Sequence, residues 1–171
     1  MATNTTTRYG APPRALVHRR AGEWPEELAA GSLTLEFDDR HRRRTRLVTD
    51  QGDDVLLDLP SAIAMGDRDG LQLDDGRWLV VRAAAEPVVH ITHHDPGRLV
   101  RLAWHLGNRH VPAEIDSRDL RIRPDHVIED MLRGFGATLV KRQAAFQPEG
   151  GAYGSHRHGA HGEKRDHHDG P

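Results

Sequence analysis

Apolar and polar positions alternate with a period of two through the first half of the chain, the mark of strands with one buried face. Leu33, Leu35 and Phe37 alternate with Thr34 and Glu36, Leu47-Val48 follows, and Val55, Leu57 and Leu59 alternate with Leu56 and Asp58. Leu71 and Leu73 then lead through Asp74-Asp75-Gly76 into Trp78-Leu79-Val80-Val81. Gly-Asp or Asp-Gly steps at 66–67, 69–70 and 75–76 supply tight turns. This pattern predicts a small all-β domain over residues 15–83, after a polar lead-in at 1–14 that carries Gly10 and Pro12-Pro13 and is expected to be disordered.

The period changes after Ala83-Ala84-Ala85-Glu86-Pro87, which reads as a linker. Residues 88–92 form a strand. Asp95 and Pro96 are an N-cap and first-turn proline, and Leu99, Ala103 and Leu106 recur at helical spacing, with Val100 and Leu102 widening the stripe, until Gly107-Asn108. Short strands at 111–115 and 120–123 flank a turn. Asp125 caps a second helix with an apolar face of Val127, Ile128, Met131, Leu132 and Phe135, Glu129 and Asp130 suit its positive start, and Gly134 and Gly136 end it. Residues 137–144 form the last strand. The order strand, helix, strand, strand, helix, strand predicts a ferredoxin-like βαββαβ domain over 84–147, so the fold class is α+β. The Gly-, His- and charge-rich segment 148–171 is expected to be a flexible, disordered tail.

Composition narrows the chemistry. The 171 residues include 13 His and no Cys, with 36% hydrophobic and 29% charged residues and a formal net charge of -2. Disulfides, cysteine nucleophiles and thiolate metal sites are excluded, so any metal is held by nitrogen and oxygen. No global positive field draws the chain to nucleic acid, and the predicted strands at 88–92 and 111–115 lack the aromatics of RNA-binding sheets. No apolar run suits a signal peptide or a membrane span of ~20 residues, which predicts a cytoplasmic protein with no membrane partner. The basic run at 41–46 could bind phosphate, but Asp38-Asp39 before it and Asp50, Asp53 and Asp54 after it favour a solvated hairpin of balanced charge.

The histidines are the candidate ligands. His110 lies where the first helix hands over to a strand, exposed and set by rigid neighbours. Alone it is a weak site, but a two-fold dimer would bring two copies to one ion. His126, in the first turn of the second helix, is favoured as a neutral imidazole able to coordinate. His105, off the apolar stripe, reads as structural. His93 and His94, adjacent on an extended segment, are expected to point opposite ways and chelate poorly. In the tail, His156, His158 and His161 can wrap one ion, and His167 and His168 add donors for another. Nickel(II), copper(II), zinc and cobalt(II) all suit such donors. A metal-dependent hydrolase would need a positioned carboxylate base, and only Asp125 and Glu129 are near.

Three stretches together resemble the UreE urease accessory proteins. They are His105-Leu106-Gly107-Asn108-Arg109-His110-Val111-Pro112, Asp125-His126-Val127-Ile128-Glu129-Asp130-Met131-Leu132-Arg133-Gly134-Phe135-Gly136, and Phe146-Gln147-Pro148-Glu149-Gly150-Gly151-Ala152-Tyr153-Gly154 with the His-rich end. The likeness covers about half the chain; the first half agrees in size and β pattern only. It implies a non-enzymatic cytoplasmic homodimer, a nickel metallochaperone whose cargo Ni(II) passes to apo-urease with the urease accessory GTPase and its assembly complex. Zinc, copper(II) or cobalt(II) can also bind, and the β domain would contact partners or peptides. The alternatives are a nickel or zinc storage protein without delivery, and a metal-dependent hydrolase. The resemblance makes His110 the ligand given by both subunits, with tail histidines adding donors. Some family members carry a histidine pair around the aspartate before the second helix; here Pro124 precedes Asp125, which leaves His126 alone there.

Overall fold

The computed structural model describes residues 11–150, a mixed α+β chain built mostly of strands with two α-helices. Six strands form the first sheet: β1 (Arg14–Arg19), β2 (Ala29–Leu35), β3 (His41–Val48), β4 (Asp54–Ala64), β5 (Gly70–Leu73) and β6 (Trp78–Ala83). Their order is β2-β6-β5-β1-β4-β3, with β1 parallel to β4 and β2 parallel to β6. The predicted alternation holds because its inward set closes one core: Leu33, Leu47, Val55, Leu57, Leu59, Leu71, Leu73, Leu79 and Val81 pack with Ala15 and Met65. Phe37 leaves the alternation. It begins a short 3-10 turn, Phe37–Arg40, that turns the chain into β3. The arginine run in β3 is charge-balanced at three points, where Arg42, Arg44 and Arg46 face Asp39, Asp58 and Asp54.

The second sheet has the order β10-β7-β9-β8, from β7 (Ala85–Thr92), β8 (Ala113–Ile115), β9 (Leu120–Ile122) and β10 (Thr138–Ala145), all antiparallel. Helix α1 (Pro96–Gly107) follows β7 and α2 (His126–Gly134) follows β9. Leu99, Leu102, Leu106, Ile128 and Leu132 from the helices bury against Val89, Ile91, Ala113, Leu120 and Ile122 from the sheet. Asp95 caps α1 by accepting from the Gly97 amide at 2.8 Å, and Asp125 caps α2 by accepting from the Val127 and Ile128 amides at 2.9 and 3.1 Å.

Three expectations are corrected. The Ala83–Pro87 stretch is no linker, because only Ala84 separates β6 from β7, and Ala85, Glu86 and Pro87 pair with Ala145, Ala144 and Gln143 of β10. Alanine and proline satisfied the pattern of a linker, but the long-range partner strand decides the conformation. Val100 does not widen the α1 stripe and Val127 does not join the buried face of α2: they are 71% and 63% exposed. Glu129 lies in the first turn of α2 as expected, and it is also buried, 3% exposed, held by Arg133 at 2.9 Å with Lys141 at 3.5 Å. His93 and His94 do not diverge, because β7 has already ended at Thr92 and the bend after it stacks their rings at 4.3 Å.

The two sheets meet around Phe37. Its amide donates to the buried Glu86 carboxylate at 2.9 Å, and its ring packs edge-on against Phe146 with centroids 5.4 Å apart. Buried Arg40 donates to the Met65 carbonyl at 3.2 Å and to the Phe146 carbonyl. Arg123 reaches across to Asp38 at 2.7 Å.

Candidate metal centre

Helix α1 positions its C-terminal turn. Val111 donates its amide to the Leu106 carbonyl at 3.1 Å and His110 to the Gly107 carbonyl at 3.0 Å, the paired bonds of a Schellman motif. Val111 then packs against the core as Leu106 does, so the turn is anchored from below. The residue at the left-handed position of this motif is usually glycine. Here it is His110, with φ at 54°. An L side chain there costs roughly 1–2 kcal/mol, yet the imidazole is exposed and has no hydrogen-bond partner among the described residues. The backbone is fixed while the side chain is presented to solvent.

The other histidines near α1 are placed differently. His105 is half-buried and stacks on Phe135 at 4.5 Å with a 20° tilt, while the Trp104 ring meets it edge-on at 5.0 Å. It is therefore structural, as expected, and its packing partner is the end of α2. His126 is exposed directly after the Asp125 cap, and Pro124 on the other side offers no donor. His93 accepts from the Asp95 amide at 2.9 Å through Nδ1. Among the described residues no three His, Asp or Glu side chains converge as a metal cage, so neither His110 nor His126 belongs to a cage built from the described residues alone. His156, His158, His161, His167 and His168 lie outside the described residues.

Sequence reasoning missed how the root of the tail is held. Phe146 is fully buried. Beyond it, the Gln147 amide donates to Glu114 at 3.1 Å, its side-chain oxygen accepts from the Asp67 amide at 2.8 Å, and the Glu149 amide donates to the Ala113 carbonyl at 2.9 Å. Residues 147–149 thus run alongside β8, which begins three residues past His110 in sequence. A lone phenylalanine in a polar stretch was the available signal.

Residues 86–170 match the sequence profile described as UreE urease accessory protein, C-terminal domain, and residues 15–84 match the N-terminal domain of the same description. The chain belongs to the UreE family. The family match extends across the β half as well, where the motifs alone showed only a likeness of size and pattern. A protein named urease accessory protein UreE from Rhodopseudomonas palustris strain BisB18 is 56% identical over 127 residues, 74% of this chain and 60% of that protein. The protein of that name from a Bradyrhizobium species is 54% identical over 136 residues, 78% of this chain and 65% of that one. One from a Chelativorans species is 48% identical over 147 residues, covering 84% of this chain and 93% of its own length. The chain thus spans under two-thirds of the length of the first two relatives and nearly all of the third. These relatives carry the name of accessory proteins, not of enzymes.

Proposed function

We propose that this protein is a nickel metallochaperone that carries Ni(II) to apo-urease in the cytoplasm, together with the urease accessory GTPase. The reading rests on one observation above others: His110 occupies a left-handed position that favours glycine, with its imidazole exposed. Strain kept where a side chain offers no packing in return points to a use for that side chain.

One imidazole is too few, and a homodimer supplies the second. Val100 and Trp104, 71% and 64% exposed, lie one turn apart on α1 beside the His110 turn and form an apolar strip suited to a two-fold contact. On this reading His110 of both subunits grips the ion near the axis. Tail histidines complete its shell: His156 is six residues on from Gly150, a reach of up to ~20 Å, and the tail root already runs beside β8. His156, His158, His161, His167 and His168 hold additional ions, and His126 is a peripheral donor. Zinc, copper(II) and cobalt(II) bind the same donors. The element order and the β10-β7-β9-β8 sheet order support a ferredoxin-like second domain over 84–147, and the β domain over 15–83 is assigned to partner contact. Few, stepwise exchangeable ligands allow both retention and release.

Calorimetric nickel titration of four forms tests this. The intact chain is expected to take several ions per dimer and a chain ended at Gly150 about one. His110→Ala and His110→Gly are each expected to lose the tightest class. Glycine relieves roughly 1 kcal/mol of left-handed strain, which offsets its added unfolded-chain entropy, so His110→Gly keeps its melting temperature while losing tight nickel. Affinity is expected to fall as pH is lowered, because protons compete with the metal for the imidazole lone pairs. Tight binding retained in His110→Gly would place the site elsewhere. Nickel binding without activation of apo-urease would make the protein a store.

A further inference from the structure

Away from the metal loop, α1 presents a second feature. Arg98, Arg101 and His105 recur three and four residues apart and share one flank of the helix. At 100° per residue this flank stands about 110° around the axis from Val100 and Trp104. With Leu102 and Phe135 they line a cleft of about 290 Å³. Its floor is apolar: Leu102 is buried, and Phe135, 40% exposed, is braced by the His105 ring.

The two guanidiniums matter because they rim this apolar floor. Elsewhere the exposed arginines of this fold commonly face an acid, as Arg42, Arg44, Arg46, Arg68 and Arg133 do. Among the described residues, Arg98 and Arg101 have no salt-bridge partner and donate no side-chain hydrogen bond. A guanidinium fork matches a carboxylate in a bidentate way. The cleft is at the small end of ligand-pocket sizes, roughly 300–1,000 Å³, enough for one apolar side chain with a neighbour at the rim.

We propose that this cleft is a docking site for an acidic segment of a partner protein, in which one Leu or Phe side chain enters against Leu102 and Phe135 while adjacent Asp or Glu carboxylates pair with Arg98 and Arg101. A free inorganic anion gains nothing from the apolar floor, and a neutral apolar peptide gains nothing from the rim. The cleft's placement on α1, whose C-terminal turn carries His110, sets a bound partner beside the metal loop. The docking itself does not require metal.

The probe is a fluorescent peptide with Leu and Phe flanked by Asp and Glu, titrated by anisotropy into the full chain without nickel. Controls are its Asn/Gln counterpart and inorganic phosphate as competitor. The acidic peptide is expected to bind at least 10-fold tighter than the amide form and to weaken as salt rises. Arg98→Glu/Arg101→Glu is expected to lose at least 10-fold, while its nickel isotherm and circular dichroism match the unaltered chain. Labelled-backbone NMR is expected to shift Arg101, His105 and Phe135 first. Equal binding of the amide peptide, full competition by millimolar phosphate, or shifts centred outside α1 and Phe135 would each overturn the proposal. A change of the double variant from dimer to monomer in sedimentation would overturn it too, making this flank a contact between copies of the chain.

Discussion

At the scale of single residues, the informative side chains are those whose surroundings contradict their chemistry. His110 sits where glycine fits better, and Arg40, Glu86, Glu129 and Asp69 are charged yet buried. Asp69 shows how such a charge is kept. Burial pushes its carboxyl up, but the His18 ring at 2.6 Å and the amides of Gly66 and Ala21 at 2.7 and 3.0 Å outweigh burial and hold it below its ordinary value of 3.8. A carboxyl depressed in the folded state stabilises the fold above its unfolded value, and that contribution is lost as pH falls through the lower folded value. Urea midpoints are therefore expected to decline below about pH 4, the region of Asp69's ordinary value. Asp69→Asn is expected to cost roughly 1.5–3 kcal/mol at neutral pH, the worth of a hydrogen bond to a charged group, and to flatten that acid decline. An unchanged slope in the variant would assign the decline to other carboxylates.

At the scale of elements, the helices owe their position to caps and to three or two buried apolar residues each, Leu99, Leu102 and Leu106 in α1 and Ile128 and Leu132 in α2. With nine residues, α2 is too short to persist alone, so the Asp125 cap and the sheet must hold it. Asp125→Ala is expected to destabilise the protein by about 1 kcal/mol and to speed hydrogen exchange at Val127 and Ile128, leaving α1 unaffected. Exchange that rose equally across both helices would show global unfolding instead. The caps and glycine stops were legible because they act within four residues. Exposure of Val100, Trp104 and Val127 was not, since helical spacing says which residues share a face but not how wide a face the sheet covers.

At the scale of the whole molecule, Arg40 ties three distant parts of the chain together: the turn before β3, the Met65 loop and the start of the tail at Phe146. Burial pulls its guanidinium's proton affinity down, opposed by Glu86, Asp67 and Asp69. The Phe37 ring lies 5.8 Å below it and 5.5 Å from Arg123. Arg40→Met would leave the Met65 and Phe146 carbonyls without their donor, each at about 1–3 kcal/mol. The expected result is a loss of about 2–4 kcal/mol in denaturant unfolding, with faster hydrogen exchange at Gln147 and Glu149. Protection retained at those two amides would show that β8 alone holds the tail root.

Local chemistry in the sequence determined most of the architecture. Period-two alternation marked β2, β4 and β5 but not β1, Asp95 and Asp125 placed both helix starts, and the absence of cysteine confined candidate metal ligands to nitrogen and oxygen. His110 was legible as an exposed residue at a helix-to-strand turn. The tertiary structure alone decided that its backbone is left-handed, that Ala85, Glu86 and Pro87 are strand, that Glu129 is buried, that His105 braces Phe135 and that the tail begins beside β8. All of those except the His110 backbone, which the last turn of α1 fixes, depend on partners far away in the chain. Period, capping and composition are properties of neighbours in sequence, whereas burial, strain and long-range pairing exist only once the two sheets have closed on their cores.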